Sequence, residues 1–201
     1  EHQYEELAME YEKNRRLYHD MNNHNLVMWK LAEKGEYERL HKYIGKLRPL
    51  EKDRHRQWTQ NLILDMILEY KLLAMEKKKI LYEIKTDMIG EIALADKELC
   101  ILLGNLLDNA IEACEKLEEE KRMVKIEVRK HHSMFMLIVE NSCEAHAQVR
   151  KGIFRTTKKD DRMHGYGIHN VRKTVKNHGG QFQYGSRGEN FYVKILIPLV
   201  I

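Results

Sequence analysis

Apolar residues recur through residues 1–34 at alternating spacings of three and four, the heptad pattern of helices that pair along a narrow apolar stripe. The stripe consists of Tyr4, Leu7, Tyr11, Asn14, Tyr18, Met21, Asn25, Met28 and Ala32. Gly35 breaks this pattern, and a second apolar stripe runs from Tyr37 to Leu47. Two amphipathic helices across a short turn have more apolar surface than the pair alone can bury. We therefore predict an N-terminal α-helical hairpin that forms a dimeric four-helix bundle with a second copy.

The pattern changes beyond the charged stretch at 51–58, where helical and strand periods alternate. We predict helix 62–77, strand 80–85, helix 96–117 with Asp96 as its N-cap, hairpin strands 123–130 and 134–141, helix 168–178, and strands near 181–184 and 191–198. Helices mixed with largely antiparallel strands are typical of an α+β two-layer sandwich. The predicted domains are a helical hairpin at residues 1–55 and an α+β sandwich at residues 56–201.

Composition narrows the functional classes. The 201 residues carry 35 Lys and Arg against 31 Asp and Glu, a formal charge of +4. This balance argues against a nucleic-acid partner, which requires a concentrated basic surface. Three cysteines without CxxC spacing are typical of a reduced, cytosolic protein, and no apolar run approaches the ~18 residues of a membrane helix. Because the chain begins at Glu1 in helical register, we expect a cytoplasmic fragment whose missing N-terminal region could contain membrane helices.

The first chemical motif is "LLGNLLDNAIEAC" at residues 102–114. Its leucines form a buried helical stripe, whereas Asn105, Asp108, Asn109 and Glu112 form a second stripe that offers only amide and carboxylate oxygens. Such oxygens suit Mg²⁺, which keeps several waters and takes few protein ligands beside phosphates. A solvated helix face explains the same stripe. Two asparagines inside a helix are unfavourable choices for solvation alone, and this favours a functional site.

The second motif is "HGYGIHNVRKTVKNHGG" at residues 164–180. Gly165 and Gly167 precede a predicted helix, whose first turn offers free N–H groups to a phosphate. Glycines at a helix start also occur for turn geometry alone. The polar segment 143–164 before them lacks an apolar period, as lid loops do. Lys158 near its end can reach phosphate oxygens, or it is simply a solvated charge of the lid.

These motifs, in this order, carry a resemblance. "NLLDNA", a strand ending in "VENS", a polar lid and "HGYGI" resemble the Bergerat-type ATP-binding domain that gyrase, Hsp90, histidine kinases and MutL share, known as the GHKL superfamily. It covers about residues 60–201. With "YHDMNNHN" in the first helix, the chain is similar to sensor histidine kinases of the AgrC-like quorum-sensing group. The resemblance implies a homodimeric kinase that uses ATP and Mg²⁺, phosphorylates itself on histidine, and passes the phosphoryl group to the receiver domain of a response regulator. The parent protein would be anchored in the bacterial cell membrane through the missing N-terminal sensor region.

The resemblance also implies roles for individual residues of the nucleotide site. Asn109 matches the Mg²⁺-binding asparagine, and Gly165 and Gly167 match the glycines that hold the triphosphate. Asp108, beside Asn109 in the polar stripe, is also predicted to bind the cofactor. Asn105 matches a position that is a water-activating glutamate in the ATP-hydrolysing relatives. An amide cannot act as a general base, so Asn105 favours phosphotransfer over hydrolysis.

One motif departs from the family pattern. The usual "DxGxG" box appears here as "ENSCEAHA", with Asn141 at the position of the aspartate that binds the adenine amino group and without the expected glycines. An amide oxygen still accepts a hydrogen bond from an amino group, but without charge. Weaker nucleotide binding is the consequence we expect, and the AgrC-like group resembles this sequence in the same "NS" feature.

In the first helix, His19 matches the phosphoacceptor and Asp20 its acidic neighbour. Asp20 can hold one ring N–H so that the other nitrogen faces the γ-phosphate. Asn23 lies one turn on and is the candidate for orienting water in the reverse, dephosphorylating reaction. Taken without the downstream motifs, His19 would be read as a surface histidine beside the apolar stripe. His24 is predicted to lie between the two helices.

Two other functions remain open on the sequence. One is an ATP-independent phosphotransferase or scaffold with a degenerate nucleotide site, because of the altered "ENSCEAHA" box. The other is an ATP-driven conformational ATPase, against which Asn105 argues.

Overall fold

A computed structural model describes residues 2–47, 57–144 and 166–199. The chain divides into two compact units, Glu1–Arg54 and His55–Ile201. This division lies one residue from the predicted domain boundary.

The first unit consists of helix α1 (His2–Glu33) and helix α2 (Tyr37–Leu47). Gly35 adopts the left-handed backbone with φ +69°, and Glu36 N–H donates to Leu31 O at 2.9 Å, which together end α1. His24 Nδ1 and Tyr43 Oη lie 2.8 Å apart and join the two helices. The predicted helices, their break at Gly35 and the interhelical position of His24 are confirmed. The dimeric bundle stays a prediction.

A mixed five-stranded sheet forms one layer of the second unit, in the order β1-β2-β3-β5-β4. Its strands are β1 (Leu81–Thr86), β2 (Met123–His131), β3 (Met134–Ser142), β4 (Gln181–Arg187) and β5 (Asn190–Pro198). β1 pairs with β2 in parallel, and every other neighbouring pair is antiparallel. The predicted hairpin is confirmed, since His131 pairs with Met134 across its turn.

Three helices form the second layer: α3 (Leu62–Lys77), α4 (Asp96–Glu115) and α5 (Tyr166–Asn177). α4 contacts both α3 and α5 and lies on β2 and β3. Alternate residues of β3, including Phe135, Leu137 and Val139, are buried in one core with the apolar side of the helices. Apolar side chains on alternate strand positions and on one helical stripe can be buried together only by such layering. The α+β two-layer sandwich is confirmed.

The predicted cap of α4 was wrong. Asp96 is the first helical residue, and the N-cap is Ala95. Alanine has no side-chain oxygen for the first turn, and the Glu98 carboxylate instead accepts a hydrogen bond from the Ala95 N–H at 3.0 Å. The structure also contains a short 3₁₀ turn at Glu119–Lys121, which periodicity did not predict. Within the three described ranges, no helix is both long and apolar enough to cross a membrane.

Candidate functional site

Helix α4 has two chemically distinct sides. Its buried side chains are the eight that the apolar period predicts: Leu99, Leu102, Leu103, Leu106, Leu107, Ala110, Ile111 and Cys114. The polar stripe lies away from this core, where Asp108 and Asn109 are exposed while Asn105 and Glu112 are half-buried. The packing of α4 on the sheet thus presents the asparagines of "NLLDNA" on the outer part of the domain.

The two sequence motifs meet at Asn105 and Gly167. A Cβ at residue 167 would lie 2.7 Å from Asn105 Oδ1, closer than a side chain tolerates. The Asn105 Nδ2 donates to Ile101 O at 2.6 Å, which turns its oxygen toward Gly167. Because α5 begins at Tyr166, Gly167 lies in its first turn, where backbone N–H groups have no acceptor within the helix. An anion bound at the start of α5 would therefore lie beside the polar stripe of α4.

Asn109 offers an unused ligand group. Its side chain is exposed and makes no hydrogen bond within the described part of the chain. In the same ranges there is no cluster of three or more His, Cys, Asp or Glu that could hold a metal ion. An amide oxygen with few other protein ligands fits Mg²⁺ that is held largely by waters and nucleotide phosphates. It does not fit a metal enclosed entirely by protein side chains.

Asp108, the charged member of the stripe, is paired with a residue that the sequence motifs did not reveal. Lys71 Nζ of α3 lies 2.5 Å from Asp108 Oδ1. The lysine side chain is 11% exposed and that of the aspartate 56%. The only sequence signal for Lys71 is a cation within the apolar segment "ILEYKLL" of α3. Its partner could not be read from the sequence because it lies on another helix.

Asn141 lies near the end of β3, on the side that faces the core, and is 5% exposed. Its Nδ2 donates to Ser142 O at 2.9 Å. Because the Ser142 carbonyl can only accept, it takes the NH₂ end of the Asn141 side chain. The Asn141 Oδ1 atom is thus left to accept from another donor. This oxygen can accept a hydrogen bond from an amino group of a ligand.

Burial disfavours the thiolate form of the two cysteines near this end of the sheet. Cys114 Sγ lies 3.5 Å from Met123 O and 3.7 Å from Ser142 O, which places the end of α4 beside β2 and β3. Burial raises the pKa of the Cys114 thiol, and burial, followed by the charge of Glu144, raises the pKa of Cys143. Both thiols are thus held in their protonated, unreactive form at neutral pH.

In the first unit, His19 has both of its predicted partners on one ring nitrogen. The side chain is 73% exposed, and its Nδ1 lies 3.6 Å from Asp20 Oδ1. The Asn23 amide nitrogen is 3.2 Å from the same Nδ1. The Asn23 NH₂ group donates to Nδ1 only when that nitrogen carries no proton. In the other tautomer a proton on Nδ1 faces the Asp20 carboxylate, and the Nε2 lone pair is directed away from both partners. His19 is therefore exposed, and its Nδ1-protonated tautomer has the free Nε2 lone pair that an attacking imidazole needs.

Two predicted site residues, Lys158 and Gly165, lie outside the described residues, as does most of the predicted lid at 143–164. The structure brings Asn105 and Gly167 together and pairs Asp108 with Lys71. His19, Asp20 and Asn23 form a separate cluster in the first unit.

Comparison with known proteins shows the family to which the second unit belongs. Residues 94–198 match the family model described as the GHKL domain. The chain belongs to the GHKL family. That family binds nucleotides, which indicates ATP as a ligand of the domain. No protein of curated function matches the chain.

Solved structures share the fold of this GHKL domain. The catalytic domain of histidine kinase ThkA, in a nucleotide-free form, has a TM-score of 0.56 and 22% identity, over 72% of this chain and 97% of that one. Histidine kinase AdeS of Acinetobacter baumannii has a TM-score of 0.51 and 16% identity, over 83% of this chain and 82% of that one. The histidine kinase domain of the Erythrobacter litoralis EL346 blue-light activated histidine kinase has a TM-score of 0.50 and 13% identity, over 78% and 69%. At these identities the likeness establishes the fold.

The GHKL match begins just before α4 and ends at the last residue of β5, so it contains both motifs of the candidate site. Helix α3, with Lys71, lies outside it.

Proposed function

We propose that the chain is the catalytic region of a two-component sensor histidine kinase of the AgrC-like group. It transfers the γ-phosphoryl group of Mg-ATP to His19 and then to an aspartate of a response-regulator receiver domain. The observation that carries this proposal is the contact between Asn105 and Gly167, which joins the oxygen-rich face of α4 to the start of α5. Membership of the GHKL family and the fold shared with histidine kinase catalytic domains support it.

The roles in the nucleotide site come from the resemblance, and the geometry of the second unit supports those of Asn105 and Gly167. Asn109 would hold Mg²⁺, which when bound neutralises charge on the phosphates. Gly165 and Gly167 would let the α5 backbone approach the triphosphate, and Lys158 would contact it from the lid. The Asn141 oxygen would accept from the adenine amino group. Asn105 orients the site without acting as a base, because an amide cannot take a proton from water.

The phosphoacceptor role of His19 comes from the resemblance, and its exposure and the Asp20 carboxylate beside its ring support it. Asp20 holds the proton on Nδ1, and the Nε2 lone pair attacks the γ-phosphorus. A P–N bond forms as the bond to the ADP oxygen breaks, so ADP leaves with the electron pair. Asn23, whose amide lies beside the same ring, is placed to orient water during dephosphorylation of the regulator.

The homodimer is part of this proposal. Helix α1 carries exposed large apolar side chains, among them Leu17 at 58%, Tyr18 at 66%, Met21 at 53% and Trp29 at 59% exposure. A contiguous apolar surface of this kind is typical of a protein interface. We place the chain in the cytoplasm, connected through its N-terminus to a sensor region in the membrane.

Incubation of the full chain with Mg-ATP labelled at the γ-phosphate, and in parallel at the α-phosphate, tests this function. We expect label only from the γ-position, attached to protein in an acid-labile, base-stable form. If the chain neither binds Mg-ATP nor becomes labelled, the result favours the ATP-independent scaffold. Release of free phosphate without protein labelling would favour the conformational ATPase.

A further inference from the structure

Lys71 is an unusual residue in its surroundings. It lies in the middle of α3, between the buried residues Leu68 and Leu72, and the whole residue, backbone included, is 8% exposed. A lysine is seldom buried to this extent without an anionic partner. Its partner is Asp108, at 2.5 Å, and its ammonium also lies 5.4 Å from the ring centre of Tyr70.

The position of Asp108 gives this ion pair a meaning beyond packing. Asp108 lies three residues after Asn105 and Asn109 lies four, so the carboxylate and both amides belong to one polar stripe of α4. A nucleotide held by Asn105, Asn109 and Gly167 brings several negative charges to this surface. An uncompensated carboxylate there would repel the phosphates.

We propose that Lys71 is a charge-compensating residue of the nucleotide site. It neutralises Asp108 from the α3 side, so that α4 presents amide oxygens without net negative charge to the triphosphate. This inference rests on the proposed nucleotide site and adds α3, which the family match does not include, to the determinants of ATP affinity. In this proposal Asp108 is the ion-pair partner of Lys71 and makes no direct contact with the nucleotide or its metal, which replaces the cofactor-binding role predicted for it from the sequence.

A purely structural ion pair would behave differently. If the Lys71–Asp108 ion pair only held α3 against α4, removal of either partner would have the same effect. Each variant would lower both the stability of the fold and the affinity for the nucleotide. Charge compensation predicts opposite directions. Lys71→Met leaves an unpaired carboxylate and weakens binding, whereas Asp108→Asn leaves an unpaired ammonium and strengthens binding or leaves it unchanged.

The experiment is calorimetric titration of the full chain with Mg-ATP. We expect Lys71→Met to raise the Kd about three- to tenfold, as one unit charge acts through a partly solvated medium. Asp108→Asn should not raise it, and the double variant should return the Kd close to that of the wild type. The increase in Kd caused by Lys71→Met should be smaller in ~0.5 M salt, because salt screens charge but does not restore a lost packing contact. Methionine keeps the unbranched stem of lysine, so the variant retains its packing.

Lys78→Met is the matched control. Lys78 Nζ pairs with Glu115 Oε1 at 2.6 Å and also joins α3 to the end of α4, seven residues beyond Asp108. We expect it to leave the Kd unchanged, and thermal unfolding monitors the folding of every variant.

Each outcome decides a point. If Asp108→Asn weakens binding as much as Lys71→Met, or if the double variant keeps the full increase in Kd of Lys71→Met, the inference is overturned. A Kd of Lys71→Met equal to that of the wild type overturns it as well. Absence of Mg-ATP binding by the wild type overturns the proposed function and this inference together. A wild type that binds, with variants that do not diverge, overturns this inference alone.

Discussion

The side-chain oxygen of Asn105 lies so close to Gly167 that a Cβ on residue 167 would come within 2.7 Å of it. Two residues 62 positions apart thereby share one surface, formed by the middle of α4 and the first turn of α5. The obstructing atom is the end of an asparagine side chain, which can rotate away. A larger residue at 167 therefore disturbs the site more than the fold.

Gly167→Ala is the substitution that tests this contact. We expect nucleotide affinity to fall about tenfold or more, because Asn105 must leave its position and the backbone of α5 loses its close approach to phosphate. The free energy of unfolding should change by less than ~1 kcal/mol, since alanine also favours the helix. Calorimetric titration with Mg-ATP and urea unfolding measure the two effects.

Gly45→Ala is the control for this substitution. It adds the same methyl group to helix α2, where no atom lies within 4 Å of the new Cβ. It should leave the affinity for Mg-ATP unchanged. Equal losses in the two variants would argue against a specific role for Gly167.

Asn109→Ala tests the proposed metal ligand. Because the side chain is exposed and has no hydrogen-bonded partner in the described ranges, its removal should leave stability within ~0.5 kcal/mol of the wild type. Mg²⁺-dependent ATP binding and histidine labelling should be lost. Asn177→Ala, at the exposed end of α5, provides the comparison and should bind as the wild type does. Normal Mg²⁺ dependence in Asn109→Ala would exclude this residue as the ligand.

Asn23→Ala separates the forward and reverse reactions. The Asn23 amide lies 3.2 Å from His19 Nδ1, whereas Asp20 can hold the ring proton without it. Autophosphorylation should persist within a few-fold, while dephosphorylation of a phosphorylated receiver domain should slow about a hundredfold, the scale of a lost water-positioning group. The neighbouring exposed Asn22→Ala should change neither rate. If both reactions fall together in Asn23→Ala, the residue serves His19 itself.

The link between α4 and α5 predicts a dependence of stability on pH. His178 Nε2 lies 3.1 Å from Glu98 Oε2, and this hydrogen bond, followed by that from the Ala95 N–H, holds the pKa of Glu98 below its ordinary 4.5. A carboxyl whose pKa is lowered in the folded state stabilises the fold above its unfolded pKa and loses that contribution as pH falls through the folded value. Glu98→Gln should therefore cost about 0.5–1.5 kcal/mol at neutral pH, a loss that diminishes below pH ~4.5.

Urea unfolding at a series of pH values measures this dependence. Glu120→Gln, on an exposed glutamate of the 3₁₀ turn that has no ion pair among the described residues, is the control. A difference between Glu98→Gln and the wild type that is the same at pH ~3 and pH ~7 would contradict the assignment.

Much of the architecture was predictable because it depends on local periodicity. The apolar period of α4 identified every buried side chain of that helix, and α3 runs over the predicted residues 62–77. The strands followed from alternation, which the sheet imposes on any strand with one buried face. The family motifs identified Asn105 and Gly167 as site residues, and the fold brings these two residues together.

Other features could not be predicted because they depend on residues distant in sequence. The Lys71–Asp108 pair spans α3 and α4, and His178 reaches Glu98 over eighty residues. The predicted start of α4 at residue 96 is confirmed, but its cap was wrong because Asp96 is a common N-cap residue, whereas here Ala95 is the N-cap and its N–H donates to the Glu98 side chain. The dimer is a property of two chains and stays a prediction.

The most direct test of the central claim is labelling of His19→Gln with γ-labelled Mg-ATP, beside His41→Gln, which alters an exposed histidine of α2. Glutamine keeps a polar side chain at position 19 but has no ring nitrogen to accept the phosphoryl group. The account predicts acid-labile, base-stable label on the wild type and on His41→Gln, and none on His19→Gln, although all three bind Mg-ATP equally. Undiminished acid-labile labelling of His19→Gln would contradict it.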